Sequence, residues 1–195
     1  PPVIHELCQR HPEARIHLRV EDTTASGYYQ SQFELEYDLF VREGEGAESN
    51  MSARLLGEVP QGFYASPKYL EERGTPASHD ELTGKHCCLG LRMSKTNPWM
   101  GKMVSDLPVQ DWEWKLTSNE GQSLVAFAEA GMGVLFVSKH LVASALERGT
   151  LVEIHLEGEP HVMPVTALYR KEYLTSLTRE CLDLLIVHME SIYPR

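Results

Sequence analysis

Basic residues are scarce in this 195-residue chain: 18 Lys and Arg stand against 28 Asp and Glu, a formal charge of −10. No stretch concentrates Lys or Arg on one face, so the surface repels phosphate backbones and any DNA contact must come from another segment or subunit. Cysteine is rare as well. Cys8, Cys87, Cys88 and Cys181 form no C-x-x-C pair and are too irregularly spaced for a disulfide framework, so they read as reduced, mostly buried thiols. The pair Cys87–Cys88 beside His86 invites a metal or redox reading, but adjacent side chains on a strand point to opposite faces and cannot easily share one ion. No run approaches the ~18–20 apolar residues of a membrane span, and the first residues show no export leader, which makes a cytoplasmic location the expectation. Also missing are G-x-S-x-G, H-E-x-x-H, a glycine-rich phosphate loop and a cysteine–histidine signature. Neither catalysis, nor a cofactor, nor a metal site is expected, and scattered histidines such as His155 and His161 read as surface or capping residues.

What is present is an alternation of short helices and strands. Val3, Ile4, Leu7 and Cys8 share one face of a helix that stops near His11-Pro12, and Ile16, Leu18 and Val20 alternate with Arg15, His17 and Arg19 as in a strand. A short apolar strand over 37–41 runs out into Arg42-Glu43-Gly44. Two short strands, 53–59 and 62–65, precede a helix with Ser66 at its N-cap and Pro67 at its first position. A buried strand is expected over 86–91. Leu116-Thr117 leads into Ser118-Asn119-Glu120-Gly121 and a helix striped by Leu124, Val125, Phe127 and Ala128, closed by Gly131 and Gly133. Strand 134–137, a helix capped by Ser138, strands 151–156 and 165–169, and an amphipathic helix from about 176 to 193 complete the order. This pattern predicts an α/β class with mixed, mostly parallel sheets.

Several phrases in that order resemble the effector-binding domain of LysR-type transcription regulators: "YDLFVREG" at 37–44, "ARLLGEVPQGFYASPKYLEERGTP" at 53–76, "LTGKHCCLGLR" at 82–92, "LTSNEGQSLVAFAEAGMGVLFVSKHLV" at 116–142 and "VTALYRKEYLT" at 165–175. The resemblance covers essentially the whole chain. It implies a two-lobed fold like type 2 periplasmic binding proteins with a ligand cleft between the lobes, lobe I over 1–62 and 165–195 and lobe II over 63–164. It also implies that an N-terminal winged helix-turn-helix, a linker helix and the first strand of lobe I belong upstream of Pro1 and are absent from this sequence. The function implied is sensing of a small-molecule effector, an organic acid among the candidates, by a homodimer that assembles further in some members. DNA is reached only through the missing N-terminal part, and no membrane partner is involved. A periplasmic-type solute-binding protein and an enzyme on the same scaffold are the alternatives.

Ser118, Asn119 and Glu120 lie where a strand gives way to a helix, where backbone N–H groups and the helix dipole favour an anion. A plain helix cap by Ser118 or Asn119 is the competing reading, and the Glu120 carboxylate competes for the same field, leaving a cationic or hydroxyl ligand group open. The resemblance assigns further lining to Thr23, Thr24, Arg42 and Glu43, an apolar wall to Phe136 and a polar rim to Ser138. It also assigns a dimer interface to Val3, Ile4 and Leu7.

Overall fold

The computed structural model describes residues 2–20, 37–43, 51–91, 113–158 and 161–193. The chain divides into two compact units, 1–58 with 164–195 and 59–163. Two strands, β2 (Ser52–Ala65) and β7 (His161–Tyr169), run from one unit into the other. The expected pair of short strands is thus a single strand of 14 residues. Pro60 interrupts its pattern of donors but not its extended backbone, which suits a proline's fixed φ.

In the first unit, helix α1 (Pro2–Arg10) packs on the last helix. Val3 and Leu7, four residues apart on one face, are its buried residues. Strand β1 (Phe40–Glu43) pairs antiparallel with β7, from Phe40 opposite Leu168 to Glu43 opposite Val165. Residues 14–20, which alternate as a strand should, are not part of one: Leu18 and Val20 remain 65% and 81% exposed. Alternation alone does not make a strand, because an extended segment needs ladder partners for its backbone groups.

The second unit is built on a sheet buried on both faces. Helix α2 (Pro67–Arg73) starts as its sequence demands, with the Ser66 hydroxyl accepting from the Tyr69 amide and Pro67 in the first turn. Helix α3 (His79–Lys85) is capped the same way by Ser78. Strand β3 (Cys88–Leu91) lies between β4 (Trp114–Ser118) and β5 (Val134–Ser138), parallel to both. Strand β2 joins the other edge of β5 in antiparallel register, Gln61 opposite Ser138 and Phe63 opposite Phe136, and also pairs with β6 (Val152–Ile154). The sheet is therefore mixed, with its parallel pairing concentrated in β4-β3-β5.

Strand periodicity sorts the core into two clusters. Phe63, Ala65, Val134 and Phe136 face Tyr69 and Leu82 of α2 and α3. Tyr64, Leu135 and Val137 face Leu124, Val125 and Ala128 of α4 (Gly121–Glu129) and Val142 and Ala145 of α5 (Lys139–Glu147). All five residues of β5 are buried, which explains why its sequence is a continuous apolar run rather than an alternating one. Helix α4 ends at Gly131, whose φ of 81° is open to glycine at little cost.

The chain closes with helix α5 leading to β6, then β7 and helix α6 (Ser176–Ile192), the partner of α1 in the first unit. The α1–α6 contact is pinned at one end: Arg10 Nη1 donates to Glu180 Oε1 (3.0 Å), and His11 Nε2 lies 2.7 Å from Glu180 Oε2. Hydrogen bonds from His11 and Arg10 hold the Glu180 carboxyl below the usual carboxylate range.

Candidate functional site

Three parallel strands of the second unit end side by side. Leu91, the last residue of β3, is in register with Ser118, the last residue of β4, and β5 ends at Ser138. The carboxyl edge of a parallel sheet is where α/β proteins receive ligands, because strand-to-helix turns open there and the helices that follow present their N-termini. Here α4 begins just after β4 and α5 directly after β5.

The cap of α4 differs from both expected candidates. Its N-cap is Glu120, whose carboxylate accepts from the amides of Gln122 (2.9 Å) and Ser123 (2.6 Å). Ser118 Oγ instead accepts from the Glu120 amide at 3.0 Å, setting up the turn rather than capping the helix. The Ser123 hydroxyl and amide, followed by the Gln122 amide, hold the Glu120 carboxyl below its usual range. The reason is geometric: Glu120 stands at the residue before the first helical turn, so its side chain reaches the first-turn amides that Asn119 and Ser118, one and two positions earlier, do not. A chain carboxylate thus already occupies the place where an anionic ligand was expected. Asn119 is exposed beside it and Ser118 is half-buried.

At the turn after β5, on the other side of β3, Ser138 is the N-cap of α5, as the sequence suggests, but its hydroxyl makes no capping bond. It accepts instead from Gln61 Nε2 at 2.7 Å, across the β2–β5 register. Both side chains are buried, with exposures of 6% for Gln61 and 1% for Ser138. Gln61 escaped sequence reasoning, since a glutamine in a strand signals nothing by itself. Only the register that sets it opposite Ser138 gives it a role.

Phe136 is a wall residue of the core as much as of any site. Its ring lies 4.7 Å from that of Phe63, with His161 6.1 Å away, and His79 stands 5.6 Å from Phe63. His161 is therefore not a surface histidine but part of an aromatic group at the start of β7. Burial pushes the His79 imidazole below its ordinary value. A second histidine, His86, is buried with its Nδ1 3.3 Å from the Tyr69 hydroxyl, which accepts from the Cys87 amide; burial lowers its pKa too.

Among the cysteines, Cys88 is buried on β3 and its thiol is pushed up to about 12 by burial, whereas Cys8 is exposed on α1. No group of three or more His, Cys, Asp or Glu side chains among the described residues could hold a metal ion. No helix among them is long and apolar enough to cross a membrane.

The remaining expected residues are dispersed. Arg42 and Glu43 belong to β1 in the first unit, where they are half-buried within the strand, opposite Thr166 and Val165, rather than in the loop after it. Thr23 and Thr24 lie outside the described residues. Val3 and Leu7 are buried within the chain itself, so of the three expected dimer residues only Ile4 keeps part of its surface exposed. An amphipathic helix has one apolar face, and α6 has taken it.

Comparison with known proteins places this architecture. Residues 1–190 match the family model of the LysR substrate binding domain. The chain is 30% identical over 195 aligned residues to the HTH-type transcriptional regulator CrgA of Neisseria meningitidis serogroup B, covering 95% of this chain and 63% of that protein. It is 27% identical to an uncharacterized HTH-type transcriptional regulator of Haemophilus influenzae, covering 86% of this chain and 57% of the relative. This chain thus spans about 60% of the length of these curated relatives. The solved regulatory domain of CrgA superposes with a TM-score of 0.74 at 26% identity, covering 96% of this chain and 90% of that one. The regulatory domain of AphB from Vibrio vulnificus, at 18% identity and a TM-score of 0.66, shares the fold. The fold is the two-lobed α/β arrangement of type 2 periplasmic binding proteins, and the chain belongs to the LysR substrate-binding domain family.

Proposed function

We propose that this chain is the effector-sensing and dimerising part of a DNA-binding transcription regulator, and that a small metabolite is received at the carboxyl edge of β3, β4 and β5. The observation that carries this reading is the convergence there of two strand-to-helix turns, one built by Ser118, Asn119 and Glu120 and the other by Ser138 with Gln61. The names of the relatives, HTH-type transcriptional regulators, support regulation over solute transport or catalysis. A formal charge of −10 assigns DNA contact to a different part of the regulator, and a cytoplasmic site of action follows from the need to meet DNA. Phe136 is proposed to back the edge as an apolar wall. Thr23, Thr24, Arg42 and Glu43 are retained as lining residues on the family resemblance alone, and the half-buried Ile4 as the dimer contact of α1.

Effector binding raises stability by RT ln(1 + [L]/Kd), about 2.7 kcal/mol at a hundredfold excess over Kd. At roughly 2–4 °C per kcal/mol for a domain of this size, that is a rise in Tm of about 5–11 °C. A thermal-shift screen of a metabolite library against the wild type and Asn119→Ala tests the reading. A compound that stabilises the wild type and loses its effect in the variant supports it; hits that ignore Asn119→Ala place the effector elsewhere. For the dimer, Ile4→Arg is expected to sediment as a monomer, and an unchanged dimer removes Ile4 from the interface.

A further inference from the structure

We propose that Gln61 is a specificity-determining residue that selects an effector bearing a hydrogen-bond donor, a hydroxyl or an ammonium group, over one bearing a carboxylate or an ether. The inference rests on the effector reading above. Gln61 is 6% exposed, and its amide nitrogen is committed to Ser138 Oγ at 2.7 Å, which turns the carbonyl oxygen away from Ser138. That oxygen, Oε1, is buried and has no hydrogen-bond partner among the described residues. A buried acceptor without a donor is costly, and natural proteins satisfy nearly all of them, so the arrangement calls for a partner that arrives from outside the chain.

The location specifies that partner. Ser138 is the N-cap of α5, a helix of nine residues, and its hydroxyl is engaged by Gln61 instead of the helix amides. Gln61 therefore sets an acceptor beside a helix start on the edge where the strands end. The turn after β4, across β3, has the same polarity: the first-turn amides of α4 are filled by the Glu120 carboxylate, so that turn too offers a negative group. The nearest lysine in sequence, Lys139, is paired with Glu153 at 2.9 Å. Two acceptors at the turns on either side of β3, with these donors spent within the chain, favour a ligand that donates. Phe136, two residues before Ser138 on the same strand, supplies an apolar surface next to the polar one. Since Oε1 is closed to solvent, the donor enters by displacing side chains at the turn, and such a buried bond discriminates strongly against an analogue that lacks the donor.

The test uses matched probes on the whole chain: benzyl alcohol and benzylamine against benzyl methyl ether and benzoate, and 1,4-butanediol and putrescine against 1,4-dimethoxybutane and succinate. Melting temperatures are read for the wild type and for Gln61→Met, which keeps the length of the side chain and removes its amide. The expected result is that donor-bearing probes raise the wild-type Tm more than their counterparts. Gln61→Met is expected to erase that difference, with its own probe-free Tm lowered by loss of the Nε2–Ser138 Oγ bond. The proposal is overturned if ethers or carboxylates match the donors, if the preference survives in Gln61→Met, or if no probe moves the wild type. None of these outcomes touches the effector reading, which the broader screen with Asn119→Ala decides.

Discussion

Replacing Gly133 by alanine tests how tightly the sheet that carries the site is assembled. A Cβ at that position falls 2.4 Å from the carbonyl oxygen of Cys87 and 3.1 Å from its carbon, both backbone atoms, with Leu89 Cγ at 3.4 Å. No rotamer change relieves a clash with main chain, so β5 must move away from β3. The first bond to suffer is Val134 N to Cys87 O, now 2.8 Å, which begins the parallel pairing of the two strands. Overpacking of this kind costs about 1–3 kcal/mol, and the loss of one buried backbone hydrogen bond adds roughly 1 kcal/mol. The sum, ~2–4 kcal/mol, corresponds to a fall in Tm of about 4–16 °C for a domain of this length. Gly84→Ala is the control. It lies within α3, has nothing within 4 Å of its added Cβ, and is expected to be neutral or to stabilise by up to ~1 kcal/mol. Urea denaturation followed by circular dichroism reads both variants. If Gly133→Ala unfolds at the wild-type midpoint, the close approach of β5 to Cys87 is wrong, and with it the position given to Phe136 and Ser138.

Acid should weaken the fold through two imidazoles, His86 buried and His79 half-buried. Burial lowers the pKa of His79 and His86, so below about pH 6.5 an unfolded chain takes up protons that the folded chain refuses. Stability is accordingly full above that pH and is lost as pH falls from there through the depressed folded values. His79→Phe, which places a ring beside Phe63 without a titrating group, should flatten part of the decline in Tm between neutral and acid pH; an unchanged profile would remove His79 as a contributor. Thiol chemistry should follow burial. Cys8 is expected to alkylate first in the native protein, and Cys88, with its thiol near 12, last. Labelling of Cys88 ahead of Cys8, followed by peptide mass spectrometry, would contradict the assignment of β3 to the core.

Much of the local structure was legible in the residues. The helix start at Ser66-Pro67 and the helix end at Gly131 follow from side-chain chemistry that acts within one turn, and the structure reproduces both. The continuous apolar run of β5 reads directly as a strand buried on two faces. What escaped were features that depend on partners distant in sequence. Arg15 to Val20 alternates correctly yet forms no strand, because alternation says nothing about the presence of a neighbour. Val3 and Leu7 read as an apolar stripe, but only the tertiary contact with α6 reveals that the stripe is already covered. The site shows the same division. That Ser118 to Gly121 joins a strand to a helix was evident, whereas which side chain takes the amides depends on local geometry, and the choice fell on Glu120. Gln61 becomes visible only through the β2–β5 register, 77 residues away from Ser138.

The central claim is that an effector is received at the carboxyl edge of β3, β4 and β5, and its most direct test is amide chemical-shift mapping of the 15N-labelled chain with a compound that stabilises it. The account predicts perturbations concentrated at Ser118 to Ser123, at Ser138 to His140 and at the side-chain amide of Gln61. Perturbations that leave those amides unmoved and gather elsewhere in the chain would contradict it.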